Sequence, residues 1–351
     1  MLKNWSRRRV TSAFHTFWML ALVLGIISVA AAVIDDRSIT RLVTDFMTLC
    51  VLVIALQSFI GNSGIISFGH VAFFGIGAYS AALLTITPKI KAIALPALPV
   101  YIQQMQVSFT VAVLMGACLS LLVAIITGLA LSRMAEGAMA MATLALLVML
   151  HSIFANWEQV TRGTIGVYGI PRNITLFNTW ICAAVVGGAA LLFKASPTGL
   201  CLQASRDDPL ATGTLGVSVA KTRFAGWVLS AILMGAGGAM WAQNNLAFGP
   251  NQFYYAETFN LLSMLVIGGI CSVTGAIAGV AVVTLVGELL RGLENGLSIG
   301  TWVTLPELPG IVQMSIACLI IVVLIIRPQG MLGLNELSDF VYKRRMTKKN
   351  T

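Results

Sequence analysis

The sequence predicts an all-α, polytopic transmembrane helix bundle, and two observations carry that prediction. The 351 residues are 58% hydrophobic and only 10% charged, with a mean hydropathy of +0.89. That is more apolar surface than one water-soluble core encloses. The apolar residues also fall into windows near the roughly 20 residues a helix needs to cross hydrocarbon, while the alternating pattern of a membrane barrel is absent.

The first apolar run, 14–34, follows Lys3, Arg7, Arg8 and Arg9 and ends in the small-residue stretch Ser28 to Ala32. A cleaved leader has such flanks, but its apolar core is about 7 to 15 residues long, so this longer run is expected to be the first transmembrane helix. Further spans are expected at 41–60, 65–87, 107–131, 137–155, 178–195, 224–247, 258–270, 275–291 and 308–326, ten in all. The pair 258–270 and 275–291 is short, and a re-entrant piece plus one span is the alternative there.

With the N-terminus inside, the cytoplasmic segments hold 15 Lys and Arg and the outer segments hold seven: Arg37, Arg41, Lys89, Lys91, Arg162, Arg172 and Arg291. This bias predicts both termini in the cytoplasm. The net charge of +9 lies between spans and at the ends rather than on a soluble face, which argues against nucleic acid as a partner. The longest polar connections, 88–106, 156–177, 196–223 and 292–307, are too short for a soluble domain. One membrane domain over 1–351 is therefore expected. The six cysteines (Cys50, Cys118, Cys182, Cys201, Cys271 and Cys318) stand singly, mostly in apolar runs, and read as small core residues.

The segment 196–223 is the largest polar stretch on the expected cytoplasmic side. Asp208 can cap a helix that starts at Pro209, and Gly216 can end it after about two turns. A short charged helix of this kind, flanked by Arg206, Asp207, Lys221 and Arg223, reads either as an ordinary connection or as a docking surface for a soluble partner. Lys221-Thr222 resembles the end of a phosphate loop, but Leu215 and Ala220 replace both required glycines, so the chain is not expected to hold its own ATPase.

Residues 61–84, GNSGIISFGHVAFFGIGAYSAALL, place Asn62, Ser63, Ser67 and His70 in or beside a span. Each needs a hydrogen-bond partner at membrane depth. Gly61 and Gly64 allow an irregular start to the third span, with Ser67 and His70 one turn apart on one face. Gly61-Asn62-Ser63-Gly64 also matches the short G-x-S-G pattern of intramembrane serine proteases, with His70 or His151 as the imagined base; so short a pattern arises readily by chance in a glycine-rich chain.

Asp45 has Arg41 four residues back and Glu288 has Arg291 three residues on, so each reads as a local ion pair. Gly275 and Gly279 form G-x-x-x-G, with Gly292, Gly296 and Gly300 continuing the spacing, and Gly235 to Gly238 form a small-residue run; all read as helix packing. Gly163 to Pro171, in an outer loop, is too turn-rich for a helix and is placed to line a mouth. Clustered Cys/His sets and H-E-x-x-H are absent, so no metal is expected.

Five segments together resemble the LivM-type permease subunit of bacterial ABC importers for branched-chain amino acids. They are residues 61–84, RGTIGVYGIP (162–171), the stretch 199–242 from GLCLQASRDDPLATGTLG onward, FNLLSMLVIGGICSVTGAIAG (259–279) and RPQGMLG (327–333), in the family's order. Departures are Ile65, where the family usually has a polar residue, and Arg162 and Cys271, which replace a glycine and a small or apolar residue. Related subunits for urea and short amides share much of the pattern and are one alternative; an ion-driven secondary transporter is the other.

The resemblance implies a multi-pass subunit of the bacterial inner membrane. It would pair with a second permease subunit of similar type around one path, with two cytoplasmic ATPase subunits below and an extracytoplasmic solute-binding protein above. ATP and Mg would belong to the ATPases, with no cofactor in this chain and no chemistry performed by it. The family's coupling segment maps onto Gly199 to Arg223. Coupling is thus expected of Arg206, Asp207, Asp208, Pro209, Leu210, Gly216, Lys221 and Arg223. A place beside the path, in packing and gating, is expected of Asn62, Ser63, Gly64, Ser67, His70, Gly163, Gly166 and Glu288.

Overall fold

The computed structural model describes residues 2–294, 298–299, 303–304, 310–327, 329–333 and 336; the basic tail, Gly296 and Gly300 lie outside the described residues. The apolar windows become helices. The chain opens with α1 (Leu2–Ile34), α2 (Arg37–Ser63) and α3 (His70–Thr85), followed by the short α4 (Pro88–Ala94) and α5 (Val100–Gln104). Next come α6 (Phe109–Leu131), α7 (Glu136–Asn156) and α8 (Glu158–Thr161), the two-residue strand β1 (Val167–Tyr168) and α9 (Leu176–Ala195). The polar segment forms α10 (Pro197–Asp207) and α11 (Pro209–Thr214), and leads into α12 (Val219–Asn245) and β2 (Ala247–Phe248). The chain continues with α13 (Tyr255–Gly268), α14 (Val273–Glu294), the paired strands β3 (Ser298–Ile299) and β4 (Val303–Thr304), and α15 (Ile311–Ile326).

Seven helices among the described residues, α1, α2, α6, α7, α9, α12 and α14, are long and apolar enough to cross a membrane. Each of the ten expected spans meets a helix, and three of those helices, α3, α13 and α15, are shorter than the seven. The helix expected over 65–87 begins only at His70, and a bend of 115° separates it from α4. The reason lies at Gly64, whose left-handed backbone (φ 73) ends α2 with its N–H on the Ile60 carbonyl. Asn62 and Ser63 are thus the last residues of α2 rather than the irregular start of the next span. The 14 residues of α13 reach about 21 Å at 1.5 Å per residue, short of a hydrocarbon core of about 30 Å.

The core forms around α12, which packs on α3, α6 and α2, while α1 lies along α9. Small residues set the spacing. A Cβ on Gly77 would lie 2.0 Å from the Gly235 carbonyl oxygen, and one on Gly235 would lie 2.8 Å from the Gly116 carbonyl oxygen, so α3, α12 and α6 meet backbone to backbone. The expected G-x-x-x-G pair serves α13 in the same way, since a Cβ on Gly279 would lie 1.9 Å from the Met264 carbonyl. The cysteine expectation fails in part: Cys50 is buried, but Cys118 and Cys318 are exposed on the outward faces of α6 and α15, where a weakly polar thiol is tolerated as a small hydrophobe.

Candidate functional site

One end of the bundle gathers the polar segment, the end of α2, the turn between α13 and α14, and Glu336. Ser196 and Asp208 cap successive helices: the Ser196 hydroxyl accepts the Gly199 N–H at 3.1 Å, and Asp208 Oδ1 accepts the Leu210 and Ala211 N–H groups, each at 2.9 Å. Pro209 follows as the first residue of α11, and Gly216 (φ 80) turns the chain toward α12. The short helix therefore forms where its caps predict, preceded by a second helix, α10, that the caps of 208–216 did not reveal. Leu210 and Leu215 are 83% and 82% exposed, two apolar side chains projecting from a polar segment. Asp207 and Lys221 are also at the surface.

The two arginines of the segment turn inward. Arg206 donates to the Gly61 carbonyl at 2.9 Å and to Cys271 Sγ at 3.3 Å. Arg223 is buried and bridges to Glu136 at 2.7 Å and the Met134 carbonyl at 3.2 Å, locking α12 to the start of α7. Asn62 joins this junction as well, donating to the Ser58 carbonyl at 2.8 Å and accepting from Gln203 at 3.0 Å. A cavity of about 340 Å³ opens here, lined by Asn62, Lys194, Gln203, Arg206, Cys271 and Glu336. Glu336 pairs with Lys194 at 2.5 Å and accepts the Val273 and Thr274 N–H groups at the start of α14. Burial pushes its carboxyl upward, but the Lys194 charge and the Thr274 hydrogen bonds outweigh that and hold it below its ordinary value.

His70 sits deeper and is fully buried. Its Nδ1 lies 2.7 Å from the Ser67 hydroxyl and its Nε2 lies 2.7 Å from the Ser230 hydroxyl. Because the Ser230 hydroxyl donates to the Trp227 carbonyl at 2.9 Å, it must accept from Nε2–H, which leaves Nδ1 to accept from Ser67. The imidazole is thus held in one neutral tautomer. Trp227, Phe59 and Phe73 close around it, with the Trp227 ring centroid 4.9 Å away. Ser63 instead donates to the Phe59 carbonyl at 2.8 Å and His151 bonds the Pro250 carbonyl, so neither histidine is hydrogen-bonded to Ser63 and the protease pattern has no base.

At the opposite end, β1 and β2 pair antiparallel with Val167 opposite Phe248. Gly166 lies against this pair, where a Cβ would come within 2.5 Å of the Phe248 carbonyl, and Gly163 (φ 57) turns the preceding loop. Glu288 and Arg291 form the expected pair at 3.2 Å on an exposed face of α14. Asp45 feels the Arg41 charge, and its hydrogen-bond partner is the Asn244 amide, whose oxygen accepts from Arg172. The residues expected beside a path therefore fall into three places: Asn62, Ser63 and Gly64 at the end bearing α10, Ser67 and His70 inside, and Gly163, Gly166 and Glu288 toward the other end.

Two clusters escaped the sequence reading. Lys194 and Glu336 are 142 residues apart, with no local spacing to link them. His151 stacks on Tyr254 with ring centroids 4.0 Å apart, and Glu257 with Asn260 follows along α13. The usable signal there was the ionisable residue adjoining span 258–270. Among the described residues no three His, Cys, Asp or Glu side chains converge as a metal site.

A backbone-tight bundle of membrane-length helices, with a capped helical segment offering apolar side chains at one end, defines a multi-pass membrane protein. The chain belongs to the family described as branched-chain amino acid transport system / permease component, whose model matches residues 38–325. It is similar to the high-affinity branched-chain amino acid transport system permease protein LivM of Salmonella typhimurium strain LT2, 22% identical over 91% of this chain and 75% of that protein. The LivM of Escherichia coli strain K12 is 23% identical over the same shares. A probable branched-chain amino acid transport permease protein LivH of Methanocaldococcus jannaschii is 28% identical over 31% of this chain and 34% of its own length.

Proposed function

We infer that this chain is the LivM-type subunit of an ATP-driven importer for branched-chain or similar hydrophobic amino acids in a bacterial inner membrane. It forms half of a translocation path with a second permease subunit. Two cytoplasmic ATPases, which bind ATP and Mg, dock on the α10–α11 segment, and an extracytoplasmic binding protein delivers the solute. Both termini lie in the cytoplasm, in keeping with the charge bias. The chain itself performs no bond chemistry.

The observation that carries this reading is the family match taken together with Leu210 on the capped helix α11 and Leu215 just past its end, both exposed, with Asp207 and Lys221 also at the surface of the segment. Apolar side chains projecting from a polar connection are what a soluble partner covers. The segment is rigidly joined to the bundle through Arg206 on the end of α2 and Arg223 on the start of α7. A push on α11 is thereby delivered to α2, α7 and α12. Replacing Asp208 and Pro209 with glycine removes the cap and the fixed first turn. The variant subunit is expected to reach the membrane while solute uptake is lost and ATP hydrolysis no longer responds to loaded binding protein. Normal uptake by that variant would refute the coupling role.

A further inference from the structure

Lys194 and Glu336 have no part in the roles assigned so far. Lys194 is the last residue but one of α9, at the corner where α10 begins, while Glu336 arrives from the segment after α15. Between them lies the turn, Gly269 to Ser272, that joins α13 to α14. A helix leaves its last carbonyls and its first N–H groups without partners, so a turn between two helices gathers both kinds of unmet group.

The segment after α15 supplies partners for both. The Met331 and Leu332 N–H groups donate to the Ile267 and Gly268 carbonyls at 3.0 and 3.2 Å, at the end of α13. Glu336 takes the start of α14, accepting from the Val273 and Thr274 N–H groups at 3.0 and 3.1 Å and from the Thr274 hydroxyl at 2.6 Å. Gly330 permits the close approach, because its backbone is left-handed (φ 77) and a Cβ there would lie 2.5 Å from Gly269 Cα. One strap of chain thus holds both helix ends.

Lys194 ties that strap to the corner of the α10–α11 segment. Its amine donates to the Cys271 carbonyl at 2.7 Å and to the Glu336 carboxylate at 2.5 Å, and Arg206 of α10 adds its contact with Cys271 Sγ at 3.3 Å. All four residues line the cavity of about 340 Å³. Side chains facing an open space make no packing contact across it, so there a displacement is carried by the charge-assisted hydrogen bonds.

We propose that Lys194 and Glu336 are positioning residues of the transport cycle, which make the α13–α14 turn follow the α9–α10 corner when the ATPases move it. This role rests on the importer reading above and extends its coupling from α2, α7 and α12 to α13 and α14.

The test uses the complete importer in proteoliposomes, with radiolabelled leucine and its binding protein, scored per assembled complex. Lys194→Met leaves Glu336 on α14 but unties it from α9, and is expected to lower leucine moved per ATP hydrolysed by about fivefold or more. Lys194→Arg, which keeps the charge and the donors, is expected to retain most of it. Glu336→Gln should fall to a similar level, and the double variant no further than the lower single, because both changes break one link. Parent-like leucine per ATP in Lys194→Met overturns the role, and so do losses that multiply in the double variant. A smaller amount of assembled complex with an unchanged ratio per complex also overturns it, since the pair is then a structural clamp alone. A parent importer that moves no leucine with ATP, or normal uptake by the variant with glycine at Asp208 and Pro209, instead overturns the reading on which the role rests.

Discussion

Two histidine clusters lie within the same bundle and differ in almost every physical respect. His70 is sealed: both ring nitrogens are bonded at 2.7 Å and aromatic rings surround it. His151 stands at an opening, stacked on Tyr254 and bonded once at 3.2 Å, with exposed Ser152 and Asn156 on the same helix and Glu257 along the neighbouring one. Sealed polarity is structural, since every donor has its acceptor and nothing remains to offer a solute. Open polarity with a carboxylate lacking a cation has capacity left over. Polar side chains in spans therefore separate by completeness of bonding and by access, not by residue type.

The largest effect expected from this contrast is at the sealed site. His70→Ala leaves the Ser67 and Ser230 hydroxyls short of a partner and opens a void beside Trp227, a loss of about 3–5 kcal/mol of stability. Thermal unfolding of the detergent-purified subunit should show a much lower midpoint or failure to fold. A variant as stable as the parent would show that the cluster is not the structural element described.

The same contrast explains what was legible in the sequence. Glycine spacing around Gly235 and Gly279 announced close packing because small residues do that work locally and by position. Asp208-Pro209 announced α11 because capping is a matter of adjacent residues. The membrane-length helices followed from apolar run length, whereas α13 was read as a span because hydropathy does not report where a helix stops inside the bundle. The distant partners of His70 and Asn62 could not be read, since Ser230 and Gln203 lie 160 and 141 residues away. Nor could the three-way separation of the expected path residues, which depends on Gly64 ending α2 instead of opening the next helix.

A smaller effect concerns the ion-paired junction, which is neither sealed nor open. The carboxyl of Glu336 is held below its usual 4.5 by Lys194 and Thr274 against the contrary pull of burial. Its contribution to stability is therefore complete above pH about 4.5 and is lost as pH falls through the lower folded-state value. Unfolding midpoints should be flat in this respect from neutral pH down to about 5 and then decline. Glu336→Gln should start lower at neutral pH and decline less steeply; an identical decline in both proteins would remove Glu336 from the acid response.

The smallest stability effect is expected at the open cluster. His151→Ala gives up a stacking contact with Tyr254 and one long hydrogen bond to the Pro250 carbonyl, together about 1 kcal/mol or less because the site is partly exposed and water can take over the freed carbonyl. The unfolding midpoint should move by only a few degrees, far less than for His70→Ala. A large loss of stability would reverse the assignment. It would place His151 with His70 as a packing histidine, and openness would then no longer separate the two clusters.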